Sequence, residues 1–327
     1  MIISRTPFRI SFAGGGTDLL DFYSREQGSV VSAAIDKYMY ICVNKRFDHT
    51  IRVSYSKTET VDKMDDIRHP IVRECMKLTG VREGVEITSV ADIPSGTGLG
   101  SSSSFTVGLL NALYAYRGVH VTPEKLAVEA SRVEIEILGE PIGKQDQFIA
   151  AYGGLQHIRF NPDETVFVDP VVCSRETKRG LSENLLMFYT GDTRKSSSIL
   201  KEQKKKTGAR RDSLVKMRDL SVEIKGIITN GKNLSEFGAA LDRGWKLKRG
   251  LVSSITNGHI DSIYSRALES GALGGKLLGA GGGGFLLFYV EGHNHARLRE
   301  ALGELREVRF NLEPEGSKII FVGVSSW

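Results

Sequence analysis

Apolar positions along the 327-residue chain fall into short segments of two kinds. Alternating or unbroken apolar runs over 2–12, 39–53 and 85–93 predict strands, and a further strand pattern returns over 163–172. Helical spacing appears over 72–79, 105–116 and 124–138. The second half reads as a strand over 185–189 and helices over 213–228, 234–248 and 260–270. It ends with a strand over 285–290, a helix over 296–302 and a strand over 319–324. No internal repeat of roughly 20–50 residues is visible. Mixed elements of this order make the chain α+β, without marking a domain boundary.

One helix carries a polar anomaly. Thr122 suits its cap, Pro123 its first turn and Glu124 its positive end, and Gly139 stops it. On a helical wheel Leu126, Ala130, Val133 and Ile137 form an apolar stripe that Ala127 and Leu138 widen. Glu134 falls inside that arc, whereas Glu136 lies on the polar side with Glu129 and Arg132. A carboxylate in an apolar sector is costly unless it meets a cation. Glu134 is therefore expected to be a metal or ion-pair ligand, with a plain arginine salt bridge as the alternative.

Between a strand and a helix stands the most distinctive stretch, Pro94-Ser95-Gly96-Thr97-Gly98-Leu99-Gly100-Ser101-Ser102-Ser103-Ser104. The alternating glycines allow a polyanion close to the backbone, and serines suit the N-cap of the apolar helix that follows. Exposed N–H groups at a positive helix end make an anion cradle. A flexible Gly/Ser linker is the alternative, and linkers rarely run straight into an apolar helix. No Walker-type loop and no Gly-x-Ser-x-Gly occurs. The Gly-x-Gly-x-x-Gly at Gly279, Gly281 and Gly284 precedes a strand instead of a helix, so it is not a dinucleotide fingerprint.

Composition narrows the classes. The net charge of +5 is mild and suits an anionic small molecule as well as nucleic acid. The basic run from Lys201 to Arg211 has no interleaved aromatic residues, which disfavours nucleic acid; a solvated loop or helix end is the plainer reading. Three scattered cysteines offer no disulfide framework or zinc site, and His293 and His295 sit in a polar turn. No apolar stretch approaches a membrane span and no signal peptide is visible, so a cytoplasmic protein without a membrane partner is expected.

Three motifs in order resemble those of the GHMP small-molecule kinases. Residues 5–18, Arg-Thr-Pro-Phe-Arg-Ile-Ser-Phe-Ala-Gly-Gly-Gly-Thr-Asp, are similar to the first motif. The segment beginning at Pro94 resembles the second, and residues 276–285, Lys-Leu-Leu-Gly-Ala-Gly-Gly-Gly-Gly-Phe, resemble the third. The resemblance spans essentially the whole chain. It implies a two-domain fold, an N-terminal ribosomal-protein-S5-like domain (1–180) and a C-terminal ferredoxin-like domain (181–327), with the active site between them.

It also implies ATP-dependent phosphoryl transfer with Mg²⁺. Pro94, Gly96, Gly98, Leu99, Gly100 and Ser101 to Ser104 would bind nucleotide, and Ser102 and Glu134 would hold the metal. In galactokinase-like members an aspartate in a Gly-x-x-Asp-Gln turn meets the acceptor hydroxyl. Asp146 matches it in Gly143-Lys144-Gln145-Asp146-Gln147, and would orient that hydroxyl, with or without taking its proton. Arg9 matches the basic residue paired with that aspartate. Gly15, Gly16, Thr17 and Asp18, together with Gly281 and Gly282, would face the acceptor.

Residues 12–18 and 189–200 look most like the family branch acting on D-glycero-D-manno-heptose 7-phosphate at its anomeric hydroxyl, which serves nucleotide-activated heptose and surface polysaccharide. Arg194, Lys195 and Ser197 would then grip the phosphate already on the sugar; a serine-capped helix start is the alternative. A neutral-sugar kinase of fucokinase or galactokinase type remains a rival, as does a non-catalytic nucleotide or sugar sensor. The expected partners are ATP and a sugar phosphate, with a homodimer allowed.

Overall fold

The computed structural model describes residues 1–191, 199–202 and 210–323. Two sheets organise them. The first half supplies β1 (Ile2–Ala13), α1 (Leu20–Tyr23), β2 (Gly28–Lys45), β3 (Ile51–Ser54), β4 (Thr58–Val61), α2 (Pro70–Thr79) and β5 (Val85–Ala91). Then come α3 (Ser101–Tyr116), α4 (Pro123–Ser131), α5 (Gln145–Tyr152), β6 (Leu155–Phe160) and β7 (Val166–Pro170). The second half supplies α6 (Arg175–Asn184), β8 (Leu185–Tyr189), α7 (Arg211–Asn230), α8 (Ser235–Arg249), α9 (Gly258–Glu269), β9 (Ala272–Leu277) and β10 (Phe285–Val290). It closes with α10 (His295–Ala301), β11 (Arg306–Glu307) and β12 (Lys318–Val322).

The larger sheet runs β12-β1-β2-β5-β3-β4, with β6 on β2 and β7 on β6. Its long strand β2 starts at Gly28, well before the predicted 39, because Ser29 to Ile35 are buried on both faces and show no alternation. The smaller sheet runs β11-β8-β10-β9. Its strand β10 is an unbroken apolar run because both faces are covered: Phe285, Leu287 and Tyr289 join the main core, while Leu286, Phe288 and Val290 join a second core around Trp245 and Tyr264. The last described strand, β12, crosses back to pair with β1 of the larger sheet. The change from the larger to the smaller sheet falls between β7 and β8, and position 180/181 lies within α6.

The helix predicted over 124–138 is two pieces. After α4 the backbone widens into a π-helical turn at Arg132–Ile137, where the Leu138 N–H reaches back five residues to the Val133 carbonyl. A regular wheel no longer applies there, so Ile137 turns outward and is 45% exposed. Glu134 stays fully buried and Glu136 exposed, as the wheel expected. Among the described residues no helix is long and apolar enough to cross a membrane.

Candidate active site

The phosphate loop runs into α3, whose N-cap is Gly100 in the left-handed region (φ 77°), and no side chain caps the helix. The serines lie inside the first turn instead of at the cap position expected of them. The helix start is thus an uncapped positive end beneath a glycine-rich loop. Ser104 is a correction: its N–H bonds the Gly100 carbonyl at 2.9 Å and its hydroxyl donates to the Pro7 carbonyl at 2.8 Å, so it anchors the helix on β1. Leu99 packs in the core and its carbonyl accepts the Arg9 N–H at 3.0 Å. Ser103 is buried, Gly98 and Ser101 are half-buried, and Pro94, Gly96 and Ser102 are exposed.

The third motif packs on this loop through hydrogen-sized gaps. A Cβ on Gly98 would stand 2.5 Å from the Leu278 carbonyl oxygen, and one on Gly279 would stand 2.4 Å from Gly98 Cα. Gly281 and Gly282 face elsewhere than expected. Gly281 abuts Ile255, and the Gly282 N–H is bonded to the Ile255 carbonyl at 2.8 Å. Both are buried, and their contacts with Ile255 shape the loop.

Two carboxylates flank the helix start. Asp146 lies in the first turn of α5, where the positive helix end favours it. Arg9 on β1 clamps it with two bonds, Nε to Oδ1 at 2.7 Å and Nη2 to Oδ2 at 2.6 Å, and also donates from Nη1 to the Gly98 carbonyl at 2.6 Å. Gln145 links the pair to β1, accepting from the Ser11 hydroxyl at 2.9 Å and donating to Asp146 Oδ1 at 3.2 Å. Asp146 keeps a quarter of its side chain exposed while Arg9 is buried, so the carboxylate opens to the cleft and the guanidinium backs it.

Glu134 lies behind the loop. It accepts from the Ser102 hydroxyl and from Gln147 Nε2, the latter at 2.7 Å. Burial pushes its carboxyl up to about 7 against these bonds. Among the described residues no arginine forms an ion pair with it. Ser131 Oγ and Gln147 Oε1 are buried with no hydrogen-bond partner among the described residues.

The first-motif loop behaves differently from expectation at one residue. Thr17 is fully buried, its hydroxyl within bonding distance of the Gly14 and Ser29 carbonyls at 2.8 and 3.0 Å, so it braces the loop instead of facing a substrate. Asp18 accepts from Gly16 N–H at 2.8 Å and Gln145 N–H at 3.3 Å, and burial pushes its carboxyl up. Gly15 and Gly16 are half-buried at the loop tip. Arg194, Lys195 and Ser197 lie outside the described residues.

Sequence reasoning missed two site residues. Lys248, in the last turn of α8, donates to the Gly279 carbonyl, and Lys276 on β9 donates to the Phe12 carbonyl at 3.0 Å. Lys276 begins the third motif and could have been suspected; Lys248 sits in an ordinary basic helix end and could not. A cleft of about 450 Å³ lined by Ile93, Pro94, Tyr189 and Phe285 opens beside the phosphate loop. A larger cavity of about 530 Å³, with Asp36, Lys37, Arg299 and Arg309 among its walls, holds none of the motif residues.

Comparison with known proteins gives this arrangement a family. GHMP kinases N terminal domain matches residues 68–154 and GHMP kinases C terminal matches residues 224–314. The chain belongs to the GHMP kinases, with their two-domain fold. It is 27% identical to D-glycero-alpha-D-manno-heptose 7-phosphate kinase of Campylobacter jejuni, over 100% of this chain and 98% of that protein. It is 26% identical to galactokinase of Pyrococcus furiosus, over 94% and 93% respectively. Among solved structures, a D-glycero-D-manno-heptose 1-phosphate kinase from Bacteroides thetaiotaomicron superposes with TM-score 0.83, at 21% identity, over 99% of this chain and 100% of that one.

Proposed function

We propose that this chain is an ATP-dependent kinase that phosphorylates the anomeric hydroxyl of D-glycero-D-manno-heptose 7-phosphate, giving the 1,7-bisphosphate. The full-length similarity to a heptose 7-phosphate kinase carries the substrate. The convergence of an uncapped helix start with the Arg9–Asp146 clamp supports the reaction class. Phosphoryl transfer asks mainly for positioning and charge stabilisation. The loop and helix start would hold the phosphates through backbone N–H groups. Asp146 would accept a hydrogen bond from the attacking hydroxyl and receive its proton, while Arg9 keeps the carboxylate aimed. Asp18, behind the Gly15–Gly16 tip, would fix sugar hydroxyls.

Mg²⁺ fits at Ser102 and Glu134: the carboxylate is buried with hydroxyl and amide donors but no cation among the described residues, and both residues offer hard oxygens. When bound, the ion neutralises charge on the phosphates. A sugar without phosphate is the second reading, favoured by the similarity to galactokinase. Coupled ADP release with heptose 7-phosphate, heptose, galactose and fucose separates them. A kcat/KM at least tenfold higher for the 7-phosphate is expected; equal values would establish the neutral-sugar kinase.

A further inference from the structure

Buried positive charge gathers where the three motifs meet, and only part of it is answered. Arg9 is paired with Asp146. Lys248 and Lys276, each at least nine-tenths buried, end on backbone carbonyls, of Gly279 and Phe12. Among the described residues neither ammonium has a carboxylate within ion-pair distance. The charged groups facing Lys248 are Arg9 on β1, Asp18 in the first-motif loop, Asp146 on α5 and Lys276 on β9. Burial and then Arg9 push Lys248 down to about 8; burial, Lys248 and Arg9 push Lys276 well below its ordinary value. A carbonyl offers an ammonium a dipole but no charge, so such a group remains costly until an anion arrives.

Position indicates which anion. Gly279, whose carbonyl holds Lys248, packs directly on Gly98 of the phosphate loop. The carbonyl of that same Gly98 holds Arg9, which in turn clamps Asp146. Lys248 and Arg9 are thus anchored on two touching backbone segments, at the point where the loop meets the residue that faces the acceptor hydroxyl. A phosphoryl group moving from the loop toward Asp146 must pass this point.

We infer that Lys248 is a catalytic residue that contacts the transferred phosphoryl group from the C-terminal side of the cleft. This rests on the kinase reading above. In the step, the acceptor oxygen forms a bond to the γ-phosphorus and the bond to the β–γ bridging oxygen breaks. ADP leaves with that electron pair, and the hydroxyl proton passes to Asp146 and then to water. Lys248 stays protonated throughout and exchanges its carbonyl partner for a non-bridging oxygen, whose charge its ammonium balances.

The test uses Lys248→Met and Lys248→Arg, each checked for a wild-type-like melting curve, with heptose 7-phosphate and with unphosphorylated heptose. Lys248→Met is expected to lower kcat by about 10²–10³-fold, the usual cost of one such donor, by the same factor on both acceptors, with KM values within about threefold of wild type. Lys248→Arg should recover part of the rate. It should also abolish the alkaline limb of kcat/KM expected of wild type near pH 8, because arginine does not titrate there. Binding of ADP with aluminium fluoride, a mimic of the transferred group, should lose its advantage over ADP alone in Lys248→Met. A rise in KM for heptose 7-phosphate with kcat unchanged would make Lys248 an acceptor-phosphate ligand and overturn the inference. So would activity within threefold of wild type in both variants. A wild-type protein that phosphorylates no sugar would instead overturn the kinase reading.

Discussion

Replacing Glu134 by glutamine should make the metal-free protein more stable while disabling it. The carboxyl is fully buried, and its folded value stands at about 7 against 4.5 for the free group. A carboxyl raised on folding contributes stability that is fully present below the unfolded value and is lost as pH rises through the folded one. At roughly 1.4 kcal/mol per pKa unit, ionising Glu134 in the metal-free protein costs about 3 kcal/mol at pH 8. Glutamine keeps the shape and the partners: its amide oxygen can accept from Gln147, and its NH₂ can donate to the Ser102 hydroxyl. In EDTA at pH 8 the melting temperature of Glu134→Gln should therefore exceed wild type by roughly 5 °C. At pH 4.5 the advantage should shrink to near zero, since the wild-type side chain is then neutral. The exposed Glu136, changed to glutamine, should shift neither value. Added Mg²⁺ and ATP should reverse the order, stabilising wild type and much less the variant. Differential scanning calorimetry across pH reads all of this. A variant less stable than wild type at pH 8 in EDTA, or a difference that does not change with pH, would refute the account of Glu134 as a carboxylate awaiting a cation.

Asp146→Asn keeps the size of the side chain but cannot receive a proton, and it leaves Arg9 with a neutral partner; kcat should fall by about 10²–10⁴-fold with the dissociation constant for ATP little changed, as steady-state rates and calorimetric titration would show. Gly98→Ala drives a methyl group to 2.5 Å from the Leu278 carbonyl at a backbone φ of +86°. It should lower the melting temperature and remove the ATP-dependent part of it, and an intact ATP-dependent shift would show that the loop does not hold nucleotide.

The parts of this site that share one stretch of chain were legible in the sequence. The loop from Pro94 to Ser104, the Arg9 motif and the turn bearing Asp146 each carry their chemistry locally, through glycine spacing or a turn. Glu134 was legible as a carboxylate on an apolar arc, although the wheel that found it failed three residues on, where the π-helical turn swings Ile137 outward. What stayed hidden depends on contacts across the chain. Thr17 looks like a sugar ligand until Gly28 and Ser29 close over it, 12 residues further along. Ser104 looks like a phosphate ligand until the Pro7 carbonyl takes its hydroxyl. Gly281 and Gly282 look free until the turn Ser253–Ile255 packs on them. Lys248 sits among Lys246 and Arg249 in an ordinary basic helix end, and only the fold buries it beside Gly279.

The unpaired charges of the site are sorted by sign between the two halves of the chain. Glu134 and Asp18, both raised by burial, belong to the first half, and Lys248 and Lys276, both lowered by burial, belong to the second. Burial makes each of these charges costly, and a metal cation beside Glu134 and phosphoryl oxygens beside the lysines would relieve three of the four. Asp18 and Asp146 attract Lys248 only from beyond ion-pair distance among the described residues, and the glycine contacts between residues 97–98 and 278–284 join the two backbones at the phosphate loop itself. Mg²⁺ and ATP should therefore bind with positive coupling, the cation lowering the cost left by Glu134 in the first half and the phosphoryl oxygens that left by Lys248 in the second. In a calorimetric titration ATP should bind more tightly when Mg²⁺ is added, and an unchanged affinity would refute the coupling.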